Sequence, residues 1–205
     1  MAEKKLKDLS RQTYSVEDVG RIVQELSRSE DRETAIVGAA LVEAELEKLL
    51  VKNMVSLQKG EYKELFMNNG PLATSWARAK VAAALNIISR ELHNDITQLM
   101  SIRNTFAHCA RNLTFSDETV SEACEELTVI DEAALRGQIG GLSQVTEGPN
   151  DLIVVDKFGF IGFKTSLIDN ENSRSRYLNC ISCVWFALIA KSNSFPVDDT
   201  PQGLV

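Results

Sequence analysis

Hydrophobic residues in the first two thirds of the chain recur at the three- and four-residue spacing of amphipathic helices. The first such stretch runs from Val16 to Leu26, and a second, longer one runs from Ala35 to Val55. Acidic residues precede the second stretch, as a helix N-terminus favours. The pattern therefore predicts two consecutive helices. The second has one broad buried face, made of Ile36, Ala39, Ala40, Leu46, Leu49 and Leu50.

The pattern breaks at Gly70 and Pro71, so a loop is expected over 67–75. Ser75 is expected to cap a helix over 76–89, and Asn94 or Asp95 to start the next one, which makes a helical hairpin. A further helix is predicted from Ser116 to about Leu127. The inward stripe predicted for the 76–89 helix is Ala77, Val81, Ala84, Leu85 and Ile88.

The character of the sequence changes at Gly137. Segment 137–172 is rich in glycine and contains two short apolar runs, 152–155 and 158–163, which predict a β-hairpin. Helical spacing returns over 173–190, and the residues after 195 are polar and contain prolines. The predicted fold is an all-α multi-helix bundle with one small inserted β-hairpin. The predicted organisation is a single helical domain over 1–195, a loop and hairpin insertion at 137–172, and a flexible tail at 196–205.

Composition limits the class of protein. The chain has 205 residues, of which 44% are hydrophobic and 25% charged, as in an ordinary globular domain. No apolar run approaches the roughly 20 residues that cross a bilayer. The first ten residues lack the apolar core of a secretory signal. We therefore expect no membrane association and a cytoplasmic location.

Charge is distributed unevenly along the chain. The net charge is −7, and 112–132 carries seven acidic residues and no basic one. The preceding stretch, 71–111, carries five basic and two acidic residues, a local charge of +3. Because nucleic-acid binding needs clustered Lys and Arg, this balance predicts weak nucleic-acid contact at most and favours a protein partner.

The four cysteines include a CxxC pair, Cys180 and Cys183. A structural zinc site needs four ligands, and the remaining candidates, Cys109, Cys124, His93 and His108, form no second pair at metal spacing. The pair also lies within an apolar helical pattern. We therefore predict buried core cysteines, with no zinc, no disulfide and no cofactor.

The segment SIRNTFAHCARN, residues 101–112, is the candidate for chemistry. Asn104 and His108 share one helix face, whereas Arg103 and His108 diverge by about 140°. In a phosphate-handling site, His108 would transfer a proton, Arg103 would hold phosphoryl oxygens and Asn104 would orient one of them. In a helix terminus, His108 would complement the dipole, and Arg103 and Asn104 would bond to carbonyls or to Asp95 and Glu91. Spacing alone favours the helix terminus.

The string RNTFAH resembles the R-N-x-x-x-H signature of HEPN domains, which are helical modules that often dimerise and include metal-independent ribonucleases. A wider match resembles the mannitol operon repressor family. Its segments are DRETAIVGAALVEAELEKLL, GPLATSWARAKVAAALNIIS, SIRNTFAH and LTFSDETVSEAC, in that order over about 31–127, and RSRYL at 174–178 extends it. The resemblance implies an α-helical, cytoplasmic bacterial regulator of a sugar-alcohol operon without a recognisable DNA-reading motif.

Two functional hypotheses follow. The preferred one is a non-enzymatic regulatory protein that acts in transcriptional repression through a protein partner, such as a transcription regulator, or through weak DNA contact. The alternative is a metal-independent ribonuclease with His108 as general base, Arg103 as stabiliser of the charged intermediate and Asn104 as orienting group. The sequence leaves open whether the protein is an enzyme. A two-fold homo-oligomer is expected because the HEPN-like resemblance and the frequency of C2 symmetry both favour it.

Overall fold

The structure is a computed structural model that describes residues 14, 16–67, 69–131, 154–155, 161–162 and 172–194. Apart from two very short strands, the regular structure in this part of the chain is helical, which confirms the all-α class. The helices are α1 (Val16–Leu26), α2 (Asp31–Lys52), α3 (Lys59–Phe66), α4 (Ser75–Ala84), α5 (Arg90–His108), α6 (Glu118–Glu125) and α7 (Ser173–Ser194). The strands are β1 (Val154–Val155) and β2 (Ile161–Gly162).

Helix α2 lies at the centre of the bundle and contacts α1, α4, α5 and α7. At Gly38 a Cβ would meet Ile181 at 3.4 Å and Tyr177 at 3.5 Å, so the missing side chain lets α7 approach closely. Helix α2 has the broad buried face that the sequence predicts, and Ala39, Leu46, Leu49 and Leu50 lie on it, but the assignment of Ile36 and Ala40 to this face was wrong because both are exposed. The buried residues form one continuous face that covers about half of the helix circumference and contacts several neighbouring helices.

Helix α4 is shorter than predicted. It ends at Ala84 rather than Ser89 because Asn86 adopts a left-handed conformation, with φ 57°. The Asn86 N–H donates to the Ala83 carbonyl (3.0 Å) and the Ile87 N–H to the Ala82 carbonyl (2.9 Å), which is the Schellman pattern of a helix end. Ala84 and Leu85, predicted to face inward, are consequently exposed.

The predicted caps of α4 and α5 were also wrong. Thr74 rather than Ser75 caps α4, and its hydroxyl accepts from the Ala77 N–H at 3.3 Å. Ser89 caps α5 in the same way, so this helix starts before Asn94. Asp95 instead lies buried within α5 and caps another segment. Its carboxylate accepts the N–H groups of Thr128 (2.9 Å) and Val129 (2.6 Å).

Helix α3 was not anticipated from the sequence. It has eight residues, and its start carries half of a capping box, in which the Gln58 N–H donates to the Glu61 carboxylate at 2.8 Å. Tyr62 stacks on Phe66 one turn later, with ring centroids 5.2 Å apart. The polar Gln58 and Glu61, three residues apart, were the available signal.

In the predicted insertion, Val154 pairs with Gly162 and Val155 with Ile161 in antiparallel register. The rest of 137–172 lies outside the described residues, as does the predicted tail at 196–205. Two residue pairs do not establish the hairpin, so both the insertion and the domain boundaries stay predictions.

Candidate functional site

Arg103 lies on α5 and is engaged within the molecule. Its guanidinium forms an ion pair with Glu43 of α2 and also donates to the Asn104 side-chain oxygen at 2.9 Å. Both members of the ion pair are partly buried. The sequence-based suggestion of Asp95 or Glu91 as the partner of Arg103 was wrong, because Asp95 caps the segment after α6 and Glu43 faces α5 across the helix interface.

His108 is the last residue of α5 and is exposed. Its imidazole makes no hydrogen bond or ion pair with any residue that the structure describes. The carbonyl groups just beyond it are bound by Arg32 of α2, whose guanidinium donates to Cys109 (2.8 Å) and Arg111 (2.9 Å). Arg32 therefore closes the C-terminal end of α5, in the place where Arg103 or Asn104 had been expected.

The three candidate residues therefore divide into two groups. Arg103 and Asn104 bind each other and Glu43, whereas His108 stands apart at the helix end. To bind a phosphate group through two hydrogen bonds, the Arg103 guanidinium would first have to leave Glu43. A shallow depression elsewhere, lined by Lys63, Glu64, Met67, Asn69, Gly70 and Pro71, contains none of the three.

A second arginine cluster, at the start of α7, links distant parts of the bundle. Arg174 pairs with Asp31 at 3.1 Å, donates to the carbonyls of Leu26 (2.9 Å) and Ser29, and donates to the Thr34 hydroxyl (3.0 Å). These acceptors form the corner between α1 and α2. Periodicity did not reveal this cluster; the available signal was the RSR string itself.

Arg176, two residues later, performs the same task at the end of α6. Its guanidinium donates to the carbonyls of Cys124 (2.9 Å) and Leu127 (2.6 Å) and pairs with Asp131 at 2.8 Å. Helix-end carbonyls have no partner within their own helix. Both arginines of α7 therefore have structural roles in this arrangement.

Three of the four cysteines are buried, and all four are free thiols. Burial raises the pKa of Cys124 to about 12 and raises the pKa values of Cys180 and Cys183 well above the ordinary range. Cys109, at the end of α5, is half-buried. Within the described ranges, no group of three or more His, Cys, Asp or Glu residues is arranged to hold a metal ion.

We expect one thiol per native chain, that of Cys109, to react with Ellman's reagent at neutral pH, and all four to react after unfolding. Burial raises the folded-state pKa of the other three thiols above the unfolded value of about 8.5. Above that pH the unfolded chain loses these protons while the folded chain keeps them. The free energy of unfolding is therefore fully retained below about pH 8.5 and falls as the pH rises further. Urea unfolding between pH 7.5 and 10 should show a free energy of unfolding that falls in this window, by roughly 1 kcal/mol per pH unit per thiol.

The control is Cys124→Ala, which should lower stability at pH 7.5 through lost packing but make its fall with pH shallower. Rapid reaction of several thiols in the native protein would contradict the burial. So would a free energy of unfolding that does not change over this pH range.

None of the helices in the described part of the chain is long and apolar enough to cross a membrane. No match was found among curated proteins. A chain of the crystal structure described as the MtlR-HPr complex from Escherichia coli matches with a TM-score of 0.53 and 20% sequence identity. The match covers 85% of this chain and 97% of that chain. At this identity the similarity shows a shared fold.

The family comparison is more specific than the structural one. A sequence profile described as MtlR, mannitol repressor, matches residues 20–159, which is well over half of the chain. The matched range includes α2, α4, α5 and α6, the helices that carry the segments of the predicted resemblance. The HEPN part of that resemblance stays a prediction. The profile match shows that this chain is a member of the mannitol repressor family.

Proposed function

We propose that this chain is a non-enzymatic bacterial regulatory protein of the cytoplasm that takes part in transcriptional repression by binding a protein partner. The observation that carries the proposal is the engagement of the Arg103 guanidinium by Glu43 and Asn104, because a ribonuclease site would need this guanidinium to bind phosphate. Membership of the mannitol repressor family supports the regulatory role. The protein partner is supported by the fold shared with a chain from a complex that contains HPr.

HPr is the first partner to test. Isothermal titration of the purified protein with HPr from its own source organism should give saturable binding. Absence of binding at 100 µM of each folded protein would remove HPr as the partner.

Transcriptional repression is tested separately in cells. Deleting the gene should raise the transcripts of at least one operon, and the parent gene should restore repression. A gene carrying His108→Ala should restore it equally well, because the proposal assigns no catalytic step to His108. Failure of this variant, with normal protein levels, would favour the enzymatic alternative.

The ribonuclease alternative makes an opposite prediction for the same side chains. If it is wrong, the purified parent protein does not cleave single-stranded RNA in the absence of metal. The variant Arg103→Ala then changes only stability, by about 1 kcal/mol, through a lost partly buried ion pair. His108→Ala, at an exposed position at the end of α5, should change stability less. Robust cleavage by the parent that both variants abolish, by a factor of roughly 10² or more, would overturn the proposal.

We also propose that the protein is a two-fold homodimer, as the frequency of this symmetry among soluble oligomers favours. Sedimentation equilibrium should then give twice the chain mass of 22.7 kDa. A single species at the chain mass, unchanged over micromolar concentrations, would exclude the dimer.

A further inference from the structure

The N-terminal half of α2 has an outer face that no other described element covers. Ile36 and Val37 are 37% and 38% exposed, and Glu33 and Ala40 are exposed beside them. Residues 33, 37, 40, 44 and 48 follow one another at spacings of four and three, so they form one stripe along the helix. Ala44 and Lys48 continue this stripe and are half-buried. We call the residues Glu33, Ile36, Val37, Ala40, Ala44 and Lys48 the α2 face.

The α2 face is chemically self-complementary. The acidic Glu33 lies at one end of the face and the basic Lys48 at the other, about 22 Å apart along the helix. If two copies of α2 cross antiparallel about a two-fold axis near Ala40, Glu33 of each copy lies beside Lys48 of the other. The same alignment places Val37 beside Ala44 of the second copy, where the small side chain allows close approach.

We propose that the α2 face is the surface on which a second copy of this chain docks, with the two α2 helices antiparallel and two reciprocal Glu33 to Lys48 ion pairs at the ends. This inference rests on the dimer proposed above and names its surface. Charge complementarity selects the second copy as the occupant. Among the residues that the structure describes, Glu33 makes no ion pair and Lys48 pairs with its helical neighbour Glu45 alone, at 2.9 Å.

The pairing also accounts for two apolar side chains on an exposed face. Ile36 and Val37 are adjacent on α2, and in the dimer the α2 helix of the second copy would cover both side chains. The ion pair between Arg103 and Glu43, next to this face on the α5 side, would lie at the edge of the interface. The segment that resembles the HEPN signature would then border the dimer contact.

The first test disrupts the apolar centre. The Val37→Lys variant should raise the dimer dissociation constant at least tenfold in sedimentation experiments, because each interface would receive two buried like charges. The Val55→Lys variant makes the same chemical change at an 84% exposed loop position that follows α2 and is not part of the α2 face, and should remain as dimeric as the parent. Circular dichroism and melting temperature should show that both variants stay folded.

The second test uses charge exchange, which is specific to the proposed register. Glu33→Lys alone and Lys48→Glu alone should each weaken the dimer several-fold, because each places like charges opposite one another. The combined variant should recover most of the affinity. Lys48→Glu loses the contact with Glu45 in both the single and the combined variant, so the comparison isolates the contact between chains.

The outcomes separate the surface from the function. A monomeric parent protein would overturn both the dimer and this surface, while HPr binding would still be decided by calorimetry. A dimeric parent whose association is unchanged by Val37→Lys would overturn the α2 face alone. A dimer that Val37→Lys weakens but the combined charge variant does not restore would overturn the antiparallel register.

Discussion

Replacing Arg174 with alanine should reduce the free energy of unfolding by about 2 to 3 kcal/mol. The substitution removes the ion pair with Asp31 and the hydrogen bonds to Leu26, Ser29 and Thr34. Hydrogen bonds from a charged donor contribute more than neutral ones. The Leu26 carbonyl keeps the Thr34 hydroxyl as a donor at 2.9 Å, but the Thr34 oxygen itself loses the donor that Arg174 supplies. Thr34 is fully buried, so solvent does not reach its hydroxyl as a substitute donor without rearrangement.

The measurement is guanidinium unfolding, and the matched control is Arg21→Ala. Arg21 also forms an ion pair, with Asp18 at 2.9 Å, but its side chain is 67% exposed, so its loss should cost less than about 0.5 kcal/mol. The loss of stability in Arg174→Lys should lie between the losses in Arg174→Ala and Arg21→Ala. Lysine keeps the charge but lacks the planar guanidinium group that reaches several acceptors. Equal effects of Arg174→Ala and Arg21→Ala would show that the α7 arginine does not hold the corner.

The second large effect is expected at Gly70, in the loop between α3 and α4. A Cβ at this position would lie 2.7 Å from the carbonyl carbon of Leu65 and closer still to the carbonyl oxygens of Glu64 and Leu65. Backbone atoms cannot rotate away as a side chain can. The loop is also fixed, because the Leu72 N–H donates to the Leu65 carbonyl at 2.8 Å and Leu72 is buried. Gly70→Ala should therefore cost about 2 to 3 kcal/mol.

Gly60 provides the comparison within the same region. It lies in the first turn of α3, and a Cβ there meets nothing within 4 Å. Gly60→Ala should stabilise the protein by about 0.4 to 1 kcal/mol, because alanine loses less conformational entropy in a helix. Both variants are measured by the same denaturant titration. If Gly70→Ala also proved neutral or stabilising, the close backbone approach at this loop would be wrong.

Periodicity predicted most of the helices but less of their ends and faces. Helix α1 has the predicted range, and the long α2 was correctly expected, although it begins at Asp31 and stops at Lys52. A spacing of 3.6 residues shows that a helix has a buried side, but it does not fix the edges of that side when apolar residues also lie outside it. In α2, Ile36 and Ala40 lie beyond the edge of the buried side, so the apolar pattern alone assigned them inward although both face solvent.

The contacts of the candidate site were beyond what local sequence reveals. Arg103 and Glu43 are separated by 60 positions and meet only because α2 packs on α5. The sequence therefore identified the RNTFAH segment as unusual, while the partner that engages its arginine depended on tertiary packing. Asn86 is different, because asparagine tolerates positive φ, so a helix end beside it was predictable.

The arrangement of α7 against α2 determines when this chain folds during synthesis. Arg174 binds the Leu26 carbonyl across 148 positions, and the Tyr177 hydroxyl binds the Ala35 carbonyl across 142. A ribosome adding about 5 to 20 residues per second needs roughly 7 to 30 seconds to make the intervening chain. Until α7 emerges, the side of α2 at Ala35 and Gly38 has no cover, and the nascent bundle displays an apolar surface. Native folding therefore follows the synthesis of α7, and chaperone binding to ribosome-bound chains should fall once that helix has left the exit tunnel.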